Sequence, residues 1–213
     1  MNTTVVTRPA SPIKLYNFPI SGHCHRVALF LSILDLPTEV IHVDLLKGAQ
    51  KLPEFTQLNI FGQVPVIQDG EVTLADSIAI LVYLARKYDN GQWLPEDPVA
   101  FAEVHRWLSV AAGLAEFGPA AARLVKVFKA SYHLEEVQNR AYRLFEVMEN
   151  VLQASPFLVG TQPTLADIAN YTYIAHAPEG DISLAPYPHI RAWLSRIEAL
   201  PGFVAMNKTA VGA

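Results

Sequence analysis

The spacing of apolar residues changes several times along the chain, and each change marks an element. Ile13 to Asn17 is a short run of β character that stops before Pro19. From Gly22 to Leu34 the rhythm becomes helical, with Val27, Phe30, Leu31 and Leu34 on one apolar face. Glu39 to Val43 returns to β character. Strand, helix-length crossover and strand predict a βαβ unit with parallel strands. Val64 to Gln68 and Val72 to Leu74 then flank Asp69-Gly70. That dipeptide predicts a tight hairpin of type I′, with positive φ at both of its residues. Asp76 opens the next helix, whose Ile78, Leu81, Val82 and Ala85 share a face.

Asp89 to Pro98 carries Asn-Gly, Leu-Pro and Asp-Pro, the turn chemistry of a linker. No strand pattern follows it. Helices are expected from Ala100 to about Phe128, His133 to Gln153, Leu165 to His176 and Tyr187 to Leu200. The fold class is therefore α+β. A flexible lead-in of eleven residues precedes a thioredoxin-like βαβ-ββα domain over residues 12–89, a linker over 90–97 and an all-helical domain over 98–213.

Composition narrows the function classes. A chain of 213 residues with 51% hydrophobic and 17% charged residues folds around a sizeable core and is not disordered. A net charge of -4 without a Lys/Arg run gives no electrostatic footprint for nucleic acid or an anionic membrane. The mean hydropathy is positive. Even so, the most apolar stretch, Ser77 to Ala85, stops at Arg86-Lys87, far short of a bilayer span. Residues 1–11 lack the apolar core of a signal peptide. The single cysteine, Cys24, excludes an intramolecular disulfide and a cysteine-rich metal site. Its neighbours His23 and His25 point about 100° away on a helix, so the three cannot converge on an ion. The expected setting is cytoplasmic, with no metal, membrane or nucleic-acid partner.

Three places carry candidate chemistry. Pro65 begins an apolar strand and cannot donate to a ladder; it marks a plain strand start or a cis Val64-Pro65 bond that offers the Val64 backbone to an extended ligand. Asp76 is a good helix N-cap, and a helix N-terminus such as that at Ser77 also attracts anions. Ser21 stands at the start of the first helix, where a serine cap is the commonest reason for its presence.

The runs Asn59-Ile60-Phe61-Gly62-Gln63-Val64-Pro65-Val66-Ile67 and Leu74-Ala75-Asp76-Ser77-Ile78-Ala79-Ile80 closely resemble the glutathione transferases. The resemblance extends over the whole chain, and Ile13 to Tyr88 is most similar to phi-type and related bacterial members. It implies that Pro65 is cis and that Val64 pairs strand-fashion with the cysteinyl backbone of glutathione. It implies that the Ser77 hydroxyl and N–H take the ligand's α-carboxylate, with Asp76 near the α-ammonium and Gln63 at the same end. Gln50 and Lys51 would grip the glycine carboxylate, Gln50 replacing the family's histidine. Ser21, five residues before Arg26, matches the catalytic serine of phi- and zeta-type enzymes, while Asn17 stands where other classes carry a tyrosine. Tyr16 is one residue away and so faces the opposite side of the strand. Thr164 and Asp167 match the family's capping box, a folding feature.

The resemblance further implies a homodimeric detoxifying enzyme with glutathione as co-substrate and a hydrophobic electrophile as acceptor. His23, Phe117 and Arg123 are the candidate acceptor-pocket residues. Two other readings stay open: a glutathione-dependent thiol–disulfide oxidoreductase acting through Cys24, or a non-catalytic binding protein on the same fold. Cys24 lies further into the helix than Ser21, whose place the cysteine of omega-type relatives occupies, and a buried, inert thiol is expected there.

Overall fold

The computed structural model describes residues 8–209. Residues 1–7 of the expected lead-in, and 210–213, lie outside the described residues. The chain divides into two compact units, Met1–Leu94 with Pro201–Met206, and Pro95–Leu200 with Asn207–Ala213. The first division falls within the stretch that turn chemistry marks as a linker. The return of Pro201–Met206 to the first unit has no counterpart in the apolar pattern.

The first unit runs β1 (Ile13–Asn17), α1 (Gly22–Ile33), β2 (Thr38–His42), α2 (Pro53–Thr56), β3 (Val66–Asp69), β4 (Val72–Ala75) and α3 (Ser77–Tyr88). Its sheet has the order β2-β1-β3-β4. β1 lies parallel to β2, with Leu15 opposite Val40, and antiparallel to β3, with Leu15 opposite Ile67. This is the expected mixed sheet: the helical crossover makes the first pair parallel, and the tight turn makes the last pair antiparallel. Alternation along the strands separates two apolar faces. Ile13, Leu15 and Ile67 are fully buried on the side where α1 and α3 pack together. On the other side, Tyr16 and Val66 join Val43 and Phe55 of α2. Tyr16 meets Phe55 edge-on at 6.1 Å and donates its hydroxyl to Gln68 Oε1 at 2.8 Å. An apolar cavity of about 310 Å³ opens on this side among Tyr16, His42, Phe55 and Leu58; it includes none of Ser21, Val64 and Ser77.

The hairpin forms, but its turn is not the expected one. Asp69 belongs to β3 and pairs with Val72, so the two turn residues are Gly70 and Glu71. Positive φ occurs only at Gly70 of this pair (59°), whereas type I′ requires it at both. Asp69 is instead a buried hub. Its Oδ2 accepts from Tyr83 Oη, Lys87 Nζ and Tyr88 Oη, each at 2.7 Å, fastening β3 to the last turns of α3. Burial alone would raise the Asp69 carboxyl, but these donors outweigh it and hold the group below its usual range, while burial and the carboxylate push Tyr88 up to about 12. The strap Pro201–Met206 packs on α1, where His25 donates from Nε2 to the Val204 carbonyl at 2.9 Å.

The second unit is helical: α4 (Pro98–Ala112), α5 (Ala121–Phe128), α6 (Leu134–Ala154), α7 (Leu165–Ala175) and α8 (Pro188–Glu198). One continuous helix was expected from Ala100 to about Phe128. The chain breaks instead at Gly113, whose φ of -119° and ψ of -87° leave the helical region, and resumes through a wide turn, Glu116–Ala120, that accommodates Pro119. Pro98–Phe128 has the length and apolarity of a membrane-crossing segment, but this break interrupts it and half of its most apolar stretch is buried. α7 is buried on all sides along most of its length, its polar Asp167, Asn170 and Thr172 included. The Asp167 carboxylate, fully buried at its start, accepts from the N–H groups of Leu158 and Thr164 at 2.9 Å and from Trp193 Nε1 at 2.8 Å. The expected capping pair thus also fixes the preceding loop and α8.

Asp69→Asn should lower the unfolding free energy by about 2–3 kcal/mol in urea at pH 7. The folded carboxyl is depressed, so its contribution is present above the ordinary range near ~3.9 and disappears as pH falls through the lower folded value. Wild type and variant should therefore converge in acid; equal stability at pH 7 would refute the role of the hub.

Candidate active site

The antiparallel register places two special segments side by side. Val66 lies opposite Ala75, so Val64-Pro65 and Asp76-Ser77 extend past the same end of the hairpin. Tyr16 pairs with Val66, which brings the end of β1, and hence the loop leading to Ser21, to that end of the sheet. The Val64-Pro65 bond is cis. Val64 precedes β3, and among the described residues its N–H and C=O make no backbone hydrogen bond. Asn59 organises the loop before it: Asn59 Nδ2 donates to the Gln63 carbonyl at 2.8 Å, and its Oδ1 and backbone carbonyl accept from the N–H groups of Phe61 and Gly62. Gly62 has φ of 59°, and a Cβ there would lie 2.9 Å from the Gln50 carbonyl oxygen. Only glycine lets this loop press against the turn Ala49–Lys51. Gln50 and Gln63 therefore belong to adjoining segments. Gln50 Oε1 is buried with no donor among the described residues, while Lys51 and Gln63 are exposed.

Asp76 caps α3 with an unusual backbone. Its φ is 71° and ψ 121°, a region that a residue with a Cβ enters at a cost. Its Oδ1 and carbonyl take the N–H groups of Ala79 and Ile80 at 2.8 and 2.9 Å. Those of Ser77 and Ile78 have no acceptor among the described residues, so the positive end of α3 carries two open donors. The Ser77 side chain is buried, and Arg26 Nη1 donates to its Oγ at 2.9 Å. His23 Nδ1 lies 3.3 Å from the same oxygen.

Ser21 is the N-cap of α1: its Oγ accepts from the Cys24 N–H at 3.3 Å, leaving the hydroxyl hydrogen for donation. Cys24 is fully buried. Burial pushes its thiol up to about 11 against the smaller opposing effects of the Phe18 N–H and the Ser21 side chain. A thiol so placed is protonated at neutral pH and is a poor nucleophile.

Comparison with known proteins decides the family. The family models described as "Glutathione S-transferase, N-terminal domain" and "Glutathione S-transferase, C-terminal domain" match residues 11–86 and 105–201. The chain belongs to the glutathione S-transferase family. It is 34% identical over 207 residues to glutathione S-transferase 3 of Zea mays, covering 91% of this chain and 92% of that protein. It is 33% identical over 201 residues to the disulfide-bond oxidoreductase YfcG of Escherichia coli (strain K12), covering 89% and 91%. Among solved structures, a glutathione S-transferase from Pseudomonas fluorescens [Pf-5] superposes with a TM-score of 0.87 at 33% identity, covering 93% of this chain and all of that one.

Within this family frame, the candidate acceptor residues fare unequally. His23 lies in the first unit beside Ser77, and Phe117, in the second unit, is half exposed. Arg123 is 2% exposed, and its Nε donates to Glu179 Oε2 at 2.6 Å. Glu179 also accepts from Thr209 and from His176 Nδ1, so Arg123 belongs to a buried polar network. Sequence reasoning missed the parts played by Arg26 and Asn59. The signal for the first was a lone arginine on a helix that is otherwise largely apolar.

Cys24 should resist a thiol reagent in the native protein at pH 7 and release its one equivalent on unfolding; rapid native labelling would reopen cysteine chemistry. Arg123→Met should cost about 3–5 kcal/mol in denaturant unfolding, because it strands the Glu179 carboxylate. A variant as stable as wild type would refute the role of Arg123 in holding this network.

Proposed function

We propose that this chain is a serine-type glutathione transferase that binds glutathione at the shared end of β1, β3 and β4. The observation that carries the reading is the register that sets the unpaired Val64 backbone beside the open N-terminus of α3. Each part of the peptide finds a matching group. The cysteinyl backbone adds to Val64 as a short strand. The α-carboxylate meets the N–H and hydroxyl of Ser77 at the positive end of α3, with the α-ammonium towards Asp76 and Gln63 alongside. The glycine carboxylate lies towards Gln50 and Lys51.

Ser21 then supplies the reaction. Its oxygen is held by the cap, so the hydroxyl donates to the glutathione sulfur and favours the thiolate, aided by the positive end of α1. A free thiol with pKa ~8.5 is only a few per cent ionised at pH 7; bringing it to about 6.5 takes about 2.7 kcal/mol and makes the thiolate the main species. The thiolate attacks an electrophilic carbon, either expelling its leaving group as an anion or adding to a polarised double bond whose other carbon then takes a proton from water. Alternatively, it attacks a disulfide sulfur with release of a thiolate. Similarity to a relative named as a disulfide-bond oxidoreductase supports the second acceptor class. In both cases the nucleophile is the sulfur of glutathione, because Cys24 is buried and protonated. The reading includes a cytoplasmic homodimer acting on hydrophobic electrophiles in detoxification, supported by family likeness alone.

Titration of bound glutathione at the thiolate absorbance tests the mechanism. Ser21→Ala should raise the bound-thiol pKa by about one to two, the worth of a hydrogen bond to a charged group. The rate at fixed pH below that pKa should fall in proportion to the lost thiolate. An unchanged pKa would sink the serine mechanism.

A further inference from the structure

Arg26 is the most deeply buried cation among the described residues of the first unit, 1% exposed, and none of the glutathione contacts proposed above is assigned to it. Burying a guanidinium is costly unless its donors are met. This one reaches from the second turn of α1 to the first residue of α3, donating from Nη1 to Ser77 Oγ at 2.9 Å across 51 positions of sequence. A strut between two helices needs only apolar packing. A buried donor aimed at one hydroxyl does something more specific.

A serine hydroxyl has one hydrogen to give and two lone pairs to receive. Arginine is donor only, so the Arg26 contact fixes the Ser77 oxygen as acceptor on that side. The hydroxyl hydrogen must then be given elsewhere. His23 Nδ1, 3.3 Å from the oxygen and 3.5 Å from Arg26 Nη1, offers one direction, and the open end of α3 offers another. A carboxylate at that end meets the Ser77 hydroxyl already oriented as a donor, together with the Ser77 and Ile78 N–H groups. We propose that Arg26 is a positioning residue that commits the Ser77 hydroxyl to the α-carboxylate of glutathione, an inference that rests on the glutathione site proposed above. The same bond spaces the helix capped by Ser21 against the helix capped by Asp76, and so the sulfur end of the ligand against its carboxylate end.

The test is calorimetric binding of two ligands to the full chain: glutathione, and its decarboxy analogue γ-aminobutyryl-cysteinyl-glycine, which lacks only the α-carboxylate. Wild type, Arg26→Met, Arg26→Lys, Ser77→Ala and Arg26→Met/Ser77→Ala are compared, with circular dichroism and thermal unfolding to confirm that each is folded. Arg26→Met should weaken glutathione binding by ~10-fold or more, the scale of a hydrogen bond to a charged group, and the analogue by less than ~3-fold. Arg26→Lys, which keeps a donor and the charge, should recover much of the loss. In the Ser77→Ala background the Arg26→Met effect should shrink below ~3-fold, because the hydroxyl it orients is gone. Equal weakening of both ligands, or an undiminished effect without the hydroxyl, overturns the positioning role and leaves Arg26 as a strut. Should Arg26→Met not fold, Arg26→Gln, which is shorter and uncharged, takes its place in the cycle with Ser77→Ala and decides by the same criterion. Wild type that binds neither ligand would overturn the glutathione site itself. Wild type that binds both equally would overturn the placement of the carboxylate at Ser77.

Discussion

The pairing of Val66 with Ala75 is the constraint on which the rest of the site depends. Two strands four residues long, joined by a two-residue turn, bring a backbone with unused hydrogen-bonding groups beside the start of a helix. A one-residue slip would exchange the faces of the hairpin and move Asp76 away from Val64. The devices around it guard that register. Asp69 fastens one end of β3 to α3, Asn59 ties the loop entering the other end, and Gly62 lets that loop seat on the turn carrying Gln50.

Both units use the same physical means to hold irregular chain in place: a buried ionised or ionisable group that accepts from, or donates to, several distant partners. Asp69 collects two tyrosines and a lysine, Asp167 collects two backbone N–H groups and an indole, and Glu179 collects an arginine, a histidine and Thr209. Such groups add little net stability when complete and cost much when one partner is lost. They therefore specify geometry more than they increase the depth of the folding minimum. Burial raises Asp167 even with its donors in place, whereas Asp69, with a lysine among its partners, is held low.

Much of this was legible in the chain because it is local. Strands and helices followed from periods of 2 and 3.6: the bounds of β1 and α1 fell within a residue of expectation, and α3 begins directly after Asp76. Pro65 and Asp76-Ser77 could be singled out because a strand that begins with proline and a helix that begins with Asp-Ser declare their unsatisfied groups in sequence. What could not be read depended on partners far along the chain. Asp69 looked like a turn residue until Lys87 and Tyr88 claimed its carboxylate. Arg123 looked available until Glu179, 56 positions later, accepted its guanidinium. The helix expected through Phe128 fails for a nearer reason: Gly113 and Pro119, six positions apart, together break an apolar run whose spacing alone is helical.

The strap Pro201–Met206 gives the first unit an unusual relation to the order of synthesis. Its sheet and helices are complete by Leu94, but the Val204 carbonyl that receives the His25 ring comes from a segment more than a hundred residues later. During translation this unit must wait for helices α4 to α8 of the second unit to be made before its last piece exists. A gene fragment ending at Leu94 therefore encodes an unfinished surface of α1, and the boundary that looks natural in sequence is not the place to cut.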